Sequence, residues 1–229
     1  MDFLLDGFIQ AFALLLSGNA ETYSAIGATL MVSSYSIGCS LIIGIPLGFG
    51  LGYFTFQGKK SIRTVVDTLM ALPTVFIGLL VYAFLTHRGP LGDFGLLFTQ
   101  PGIAVGQTIL ALPIVIGLSA TAVESMDKKL RLAIMAMGAN RRQLFMPSVW
   151  EVRHGLLAGA IAAYGRVMTE VGISMMVGGN IKWHTRTITT AIALETNKVK
   201  FGMGVALGLV LITIAFCVNL STSFLRRKY

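Results

Sequence analysis

Long apolar stretches alternate with short polar ones along the chain. Five are long enough to cross a bilayer as helices, over 25–54, 65–85, 102–123, 155–177 and 201–225. The first carries Ser33, Ser36, Gly38, Ser40, Gly44, Gly48 and Gly52, small residues that let helices approach closely in lipid, and Pro46 bends it. Pro73, followed by Thr74, and Pro113 stand inside the second and third, where a kink opens a cavity or simply bends a helix in lipid. Residues 1–16 are also apolar but short, and Ser17-Gly18-Asn19 ends them. They predict an interfacial helix, with a tilted sixth span as the alternative. The fold class that follows is all-α integral membrane. It has an N-terminal interfacial helix at 1–20 and a membrane domain at 21–229 with five transmembrane helices.

Between the third and fourth spans the pattern changes. The stretch 127–153 holds Lys128, Lys129, Arg131, Arg141, Arg142 and Arg153, six of the eighteen Lys and Arg residues. Apolar residues at helical spacing, Leu130, Ile134, Met137, Leu144 and Phe145, are interleaved with them. Met137, Gly138, Ala139 and Asn140 break that pattern, which predicts two short amphipathic helices joined by a tight turn. Such a pair either lies on the membrane surface or docks into a partner's groove.

Composition agrees with the bilayer reading. Of 229 residues, 55% are hydrophobic and only 12% charged, and mean hydropathy is +0.77. Soluble domains carry about 25% charged residues. The net charge of +8 does not point to nucleic acid, because the basic residues cluster at span ends rather than on one face. Twelve fall at Lys59 to Arg63, in 127–153 and at 226–228, all on one side of a five-span chain. Five, Arg88, Lys182, Arg186, Lys198 and Lys200, fall on the other side, and Arg166 is inside a span. Positive charge stays in the cytoplasm, so the N-terminus is expected outside and the C-terminus inside. Cys39 and Cys217 lie in apolar runs, and His87, His154 and His184 are far apart, so neither a disulfide nor a metal site is expected. Gly52 and Gly58-Lys59-Lys60-Ser61 imitate a phosphate loop with one residue too many and no strand before them, so no ATPase site is expected either.

The 127–153 stretch resembles the coupling loop of ABC-importer permeases, whose pattern runs Glu-Ala-Ala, three residues, Gly, then nine residues to a hydrophobic-Leu-Pro ending. Gly138 and Ala139 fit, and Ala133 takes the first alanine position. Leu132 stands for the glutamate, Ile134 for the second alanine, and Trp150-Glu151 for the closing Leu-Pro. The stretch 164–194 is similar to permeases of molybdate and tungstate importers, and the run RTITTAIALET at 186–196 favours the tungstate branch. The resemblance covers the chain from about Tyr23 onward.

This resemblance implies a prokaryotic plasma-membrane permease without cofactors. It would pair with a second copy of itself, two ABC ATPase subunits and an extracytoplasmic substrate-binding protein. The cargo would be a tetrahedral oxyanion, tungstate first and molybdate next. Ala133, Met137, Gly138, Ala139, Asn140, Arg141 and Arg142 would then couple to the ATPase. Pro73, Thr74, Pro113, Arg166, Thr169, Glu170, Ser174 and Asn180 are the candidate pathway residues. Among them Arg166 and Glu170 stand out, being charged, four apart and within one span, where each charge costs roughly 2.5–3.5 kcal/mol. They form either a structural bridge between packed helices or an anion's path. Two rivals stay open: a permease for sulfate or another solute, and a self-sufficient channel or secondary transporter. The absence of an internal repeat weighs against the latter.

Overall fold

The computed structural model describes the backbone of residues 2–126, 136, 138 and 141–227, and their side chains outside 2–7, 15, 141–145 and 221–227. Among the described residues the chain is helical, with no strand. Its helices are α1 (Asp2–Leu16), α2 (Ala20–Tyr53), α3 (Lys59–Met70), α4 (Thr74–Leu85), α5 (Gln100–Glu124), α6 (Arg141–Met168), α7 (Gly172–Gly178), α8 (Ile188–Asn197) and α9 (Phe201–Arg227).

The centre of the bundle is α5, which touches α2, α3, α4, α6 and α7. Small residues make that possible, as the sequence pattern anticipates. A Cβ on Gly48 would come within 2.5 Å of the Ile116 carbonyl, and one on Gly52 within 2.7 Å of the Ala120 carbonyl. On α6, Gly155 and Gly159 abut Ala122 and Leu118 in the same way. These glycines therefore serve close approach in a medium that gives no hydrophobic drive between helices. The terminal helix α1 packs along α9, where Ala11 joins Ala206, Leu207 and Val210 in one cluster.

By length and composition α2, α5 and α9 each suffice to cross a membrane, and the count reaches five if two bent pairs are each one span. Both pairs correct the uninterrupted helices expected at 65–85 and 155–177. The α3–α4 pair bends by 93° at 71–73 and the α6–α7 pair by 55° at 169–171. Proline accounts for the first: it has no N–H to give and disfavours helix in the residue before it. The second needs a side chain, described below. A third correction falls at the polar loop. Its second amphipathic helix is not separate, because α6 runs unbroken from Arg141 to Met168 through Pro147.

Two ionic clusters mark the ends of the bundle. At one end Lys59 pairs with Glu124 at 3.1 Å and donates to the Gly52 carbonyl at 3.0 Å. Arg63 beside it bonds Thr121 and the Gly117 carbonyl and pairs with Asp67 and Glu124. The end of α2, the start of α3 and the end of α5 are thereby tied together, next to where 127–140 begins. At the opposite end Glu21 on α2 pairs with both Lys182 and Arg186.

Candidate functional site

Glu170 sits in the break between α6 and α7 and does two jobs. Its Oε2 accepts from Arg166 Nη1 at 2.9 Å. Its Oε1 accepts from the backbone N–H of Gly172 at 2.8 Å and of Ile173 at 3.3 Å. Those amides open α7 and have no partner inside their own helix, so the carboxylate fills the place of a missing turn. A negative group there also meets the positive end of the α7 dipole. The two partners differ sharply in exposure: the Glu170 side chain is 2% exposed, that of Arg166 44%. The carboxylate is buried, while nearly half of the Arg166 side chain that bonds it is open to the surroundings.

A buried polar seam backs the break. The Glu170 carbonyl accepts from Thr189 Oγ1 at 2.9 Å and from Ser174 Oγ at 3.3 Å. Gln107 on α5 donates to Ser174 at 3.3 Å, and its own side-chain carbonyl has no partner among the described residues. Thr187 and Thr190 form a capping box that starts α8, and Thr29 on α2 accepts from Ile188 N at 2.9 Å. On the other flank lies the first break. A Cβ on Gly172 would stand 3.2 Å from Val75 N, and one on Gly78 3.3 Å from the Gly172 carbonyl. The two interruptions pack against each other.

Of the sequence-selected residues, Arg166, Thr169, Glu170 and Ser174 come together at this break. Thr169 is exposed, its hydroxyl bonded to the Gly165 and Arg166 carbonyls. Pro73 and Thr74 open α4 beside Gly172. Pro113 stays inside an unbroken α5, where it lines an apolar groove of about 480 Å³ with Leu72 and Ile77. Asn180 lies beyond the far end of α7, about 10 Å of helix away. There it has φ +52° and accepts from Arg186 Nε at 3.1 Å. Gln107, Thr187, Thr189 and Thr190 belong to the seam although none was selected. The Thr-x-x-Thr spacing of a capping box and a lone amide within a span were the available signals.

In the polar loop, Gly138 is exposed, with φ +84°, in a turn as expected. Arg141 and Arg142 open α6. Ala133, Met137, Ala139 and Asn140 lie outside the described residues.

A bundle of long apolar helices with two packed interruptions, one at Pro73 and one at a buried carboxylate paired with an exposed arginine, is that of a polytopic membrane protein. Residues 44–229 match the model of the family described as binding-protein-dependent transport system inner membrane component, and the chain belongs to that family. It is 51% identical, over 99% of its length and 95% of the relative's, to the tungstate uptake system permease protein TupB of Campylobacter jejuni. It is 34% identical to the protein of the same name from Peptoclostridium acidaminophilum, over 96% of each chain. Its fold is that of the membrane subunit in a bacterial alginate ABC transporter solved in complex with alginate pentasaccharide-bound periplasmic protein. The TM-score there is 0.72 at 19% identity, covering 98% of this chain and 86% of that one.

Proposed function

We propose that this chain is the permease of an ATP-driven importer and that Arg166 draws a tetrahedral oxyanion, tungstate first and molybdate next, through the membrane. The observation that carries the anion's path is the asymmetry of the Arg166–Glu170 pair. A guanidinium at membrane depth is costly unless it faces water or protein. Glu170 is held by two amides as well as by Arg166, so it keeps its place when the guanidinium turns to an anion. Its charge offsets part of the pull, and conduction needs binding weak enough to release. Both relatives are tungstate uptake permeases, which supports tungstate over sulfate as the cargo. Membership of a binding-protein-dependent system leaves a self-sufficient transporter without support.

On this reading the chain crosses the plasma membrane of a prokaryote five times, each bent pair being one span. Its N-terminus is outside and its C-terminus cytoplasmic, and α1 packs against the α9 span rather than lying flat in the interface. Two copies enclose the pathway, two ATPase subunits seat against the loop around Gly138, Arg141 and Arg142, and a binding protein delivers cargo from outside. Arg63 and Lys59 tie α3 to the end of α5, which feeds that loop. A push on the loop therefore reaches the break at Pro73 and, packed against it, the break at Glu170.

Arg166→Gln tests the anion's path. Glutamine keeps a donor for Glu170 but removes the charge, so the complex assembles with its ATPase while oxyanion uptake in vesicles falls at least about tenfold, a barrier rise of about 1.4 kcal/mol. Uptake at the wild-type rate in that variant would leave Arg166 a structural partner only.

A further inference from the structure

At the end of the bundle opposite the polar loop, α1, α2, α8, α9 and the turns before α8 and α9 line a half-open cavity of about 430 Å³. Its lining is divided. Lys182, Arg186, Lys198 and Lys200 face Glu21 and Glu195, which leaves an excess of two positive charges. Glu21 engages Lys182 and Arg186, and Glu195 engages Lys198 at 2.9 Å. Lys200 makes no ion pair among the described residues. The rest of the wall is mixed: Asn19 and Thr22 are polar, while Leu14, Ala25, Ala191, Met203 and Leu207 form an apolar part. We propose that this cavity binds an anionic phospholipid, its phosphate at Lys200 and the upper part of an acyl chain along the apolar wall. The inference goes beyond transport and rests only on the chain's residence in a bilayer.

Three observations favour a lipid headgroup over a soluble oxyanion. The charged rim immediately precedes Phe201, where the α9 span begins, so it stands at headgroup level. The apolar part of the wall, Leu14, Ala25, Ala191, Met203 and Leu207, buries methylene groups, which a small hydrated anion lacks. Val199, between the two lysines, is 72% exposed and has φ +62°, a conformation that β-branched residues rarely adopt. An apolar side chain presented there suits the boundary between headgroups and acyl chains. Long lysine stems around such a site can lie on apolar surface while their ammonium groups reach the phosphate.

Native mass spectrometry of the full chain, released from vesicles of mixed phosphatidylglycerol and phosphatidylcholine, reads the bound lipid directly. The wild type should retain phosphatidylglycerol in preference to phosphatidylcholine. Lys200→Gln should lower that preference about fivefold, the worth of one basic residue near a lipid surface. Lys60→Gln, at the other end of the bundle, should leave it unchanged. Equal retention of the two lipids, or equal loss in the two variants, would overturn the proposal. So would displacement of phosphatidylglycerol from the wild type by inorganic phosphate or tungstate, which would assign the cavity to a soluble oxyanion. The wild-type ratio and this competition decide the matter even if Lys200→Gln fails to fold.

Discussion

At 71–73 and at 169–171 the chain interrupts a span, by covalent restriction in the first case and by a hydrogen-bonded carboxylate in the second. Pro73, with φ −61° and ψ 127°, starts α4 without any side-chain cap, and the helices diverge by 93°. Glu170 starts α7 by feeding its carboxylate to two backbone amides, and the divergence there is 55°. A proline break is written into the backbone and stands in every state of the protein. A carboxylate break is held by bonds that can be exchanged, and one of its partners, Arg166, is nearly half exposed. The first is a fixed corner, whereas the second can answer to a passing anion.

Removing the carboxylate should therefore have the largest effect. Glu170→Ala strands the Arg166 charge and frees the amides of Gly172 and Ile173 in a site where Glu170 itself is 2% exposed. Losing its partner costs the 44% exposed Arg166 no more than a surface pair, about 0.2–1 kcal/mol, whereas the Gly172 and Ile173 amides left without an acceptor cost about 1–3 kcal/mol each. The expected result is little folded permease in detergent and a melting temperature far below that of the wild type, measured by fluorescence-detected gel filtration after heating. Glu170→Gln, which keeps an acceptor for the amides, should fall between the two. A melting curve for Glu170→Ala that overlays the wild type would mean that packing alone sets the second break.

The two breaks also differ in how far the sequence announces them. Proline is a local signal that announces a bend at Pro73, although the apolar pattern over 65–85 predicts a kink rather than a right-angled corner. The α6–α7 break was invisible because nothing local forces it: Thr169, Glu170 and Val171 are poor breakers, and only the amides of the following turn make Glu170 a cap. The Arg166–Glu170 pair itself was legible, since charge in an apolar span demands a partner and four residues is one turn. That the two residues would differ so widely in exposure was not, because exposure depends on which helices pack on either side. Close packing of α2 on α5 was readable from the spacing of Gly44, Gly48 and Gly52. The Gln107–Ser174 contact joins residues 67 positions apart, and no periodicity brings them together.

A smaller effect sharpens the contact between the breaks. A Cβ on Gly172 would lie 3.1 Å from Val75 Cγ2, 3.2 Å from Val75 N and 3.3 Å from Glu170 Oε1. The valine methyl can turn away, but the backbone nitrogen cannot. Gly172→Ala should cost about 1–2 kcal/mol, in the range of modest overpacking, and slow uptake while the complex still forms. If uptake and melting temperature both match the wild type, the two interruptions are not mechanically joined through this contact.

Pro73→Ala should have the smallest effect, for a reason that lies outside the proline. Alanine adopts φ −61° and ψ 127° without strain, and the amide it adds sits at the cap of α4, where it removes no bond. The loss of unfolded-state restriction costs about 0.4–1 kcal/mol. Straightening 59–85 into one helix would be the remaining danger, because alanine permits it and proline does not. That route would pull Ile77, Val81 and Leu85 away from Ile173 and Val177, with which they share one buried cluster. The corner is thus specified twice, by the ring and by the packing of α4 on α7, and either suffices. Thermal unfolding and oxyanion uptake of Pro73→Ala should both stay close to wild type. A loss as large as that of Glu170→Ala would mean that the packing cannot hold the corner alone, and that both breaks depend on a single residue each.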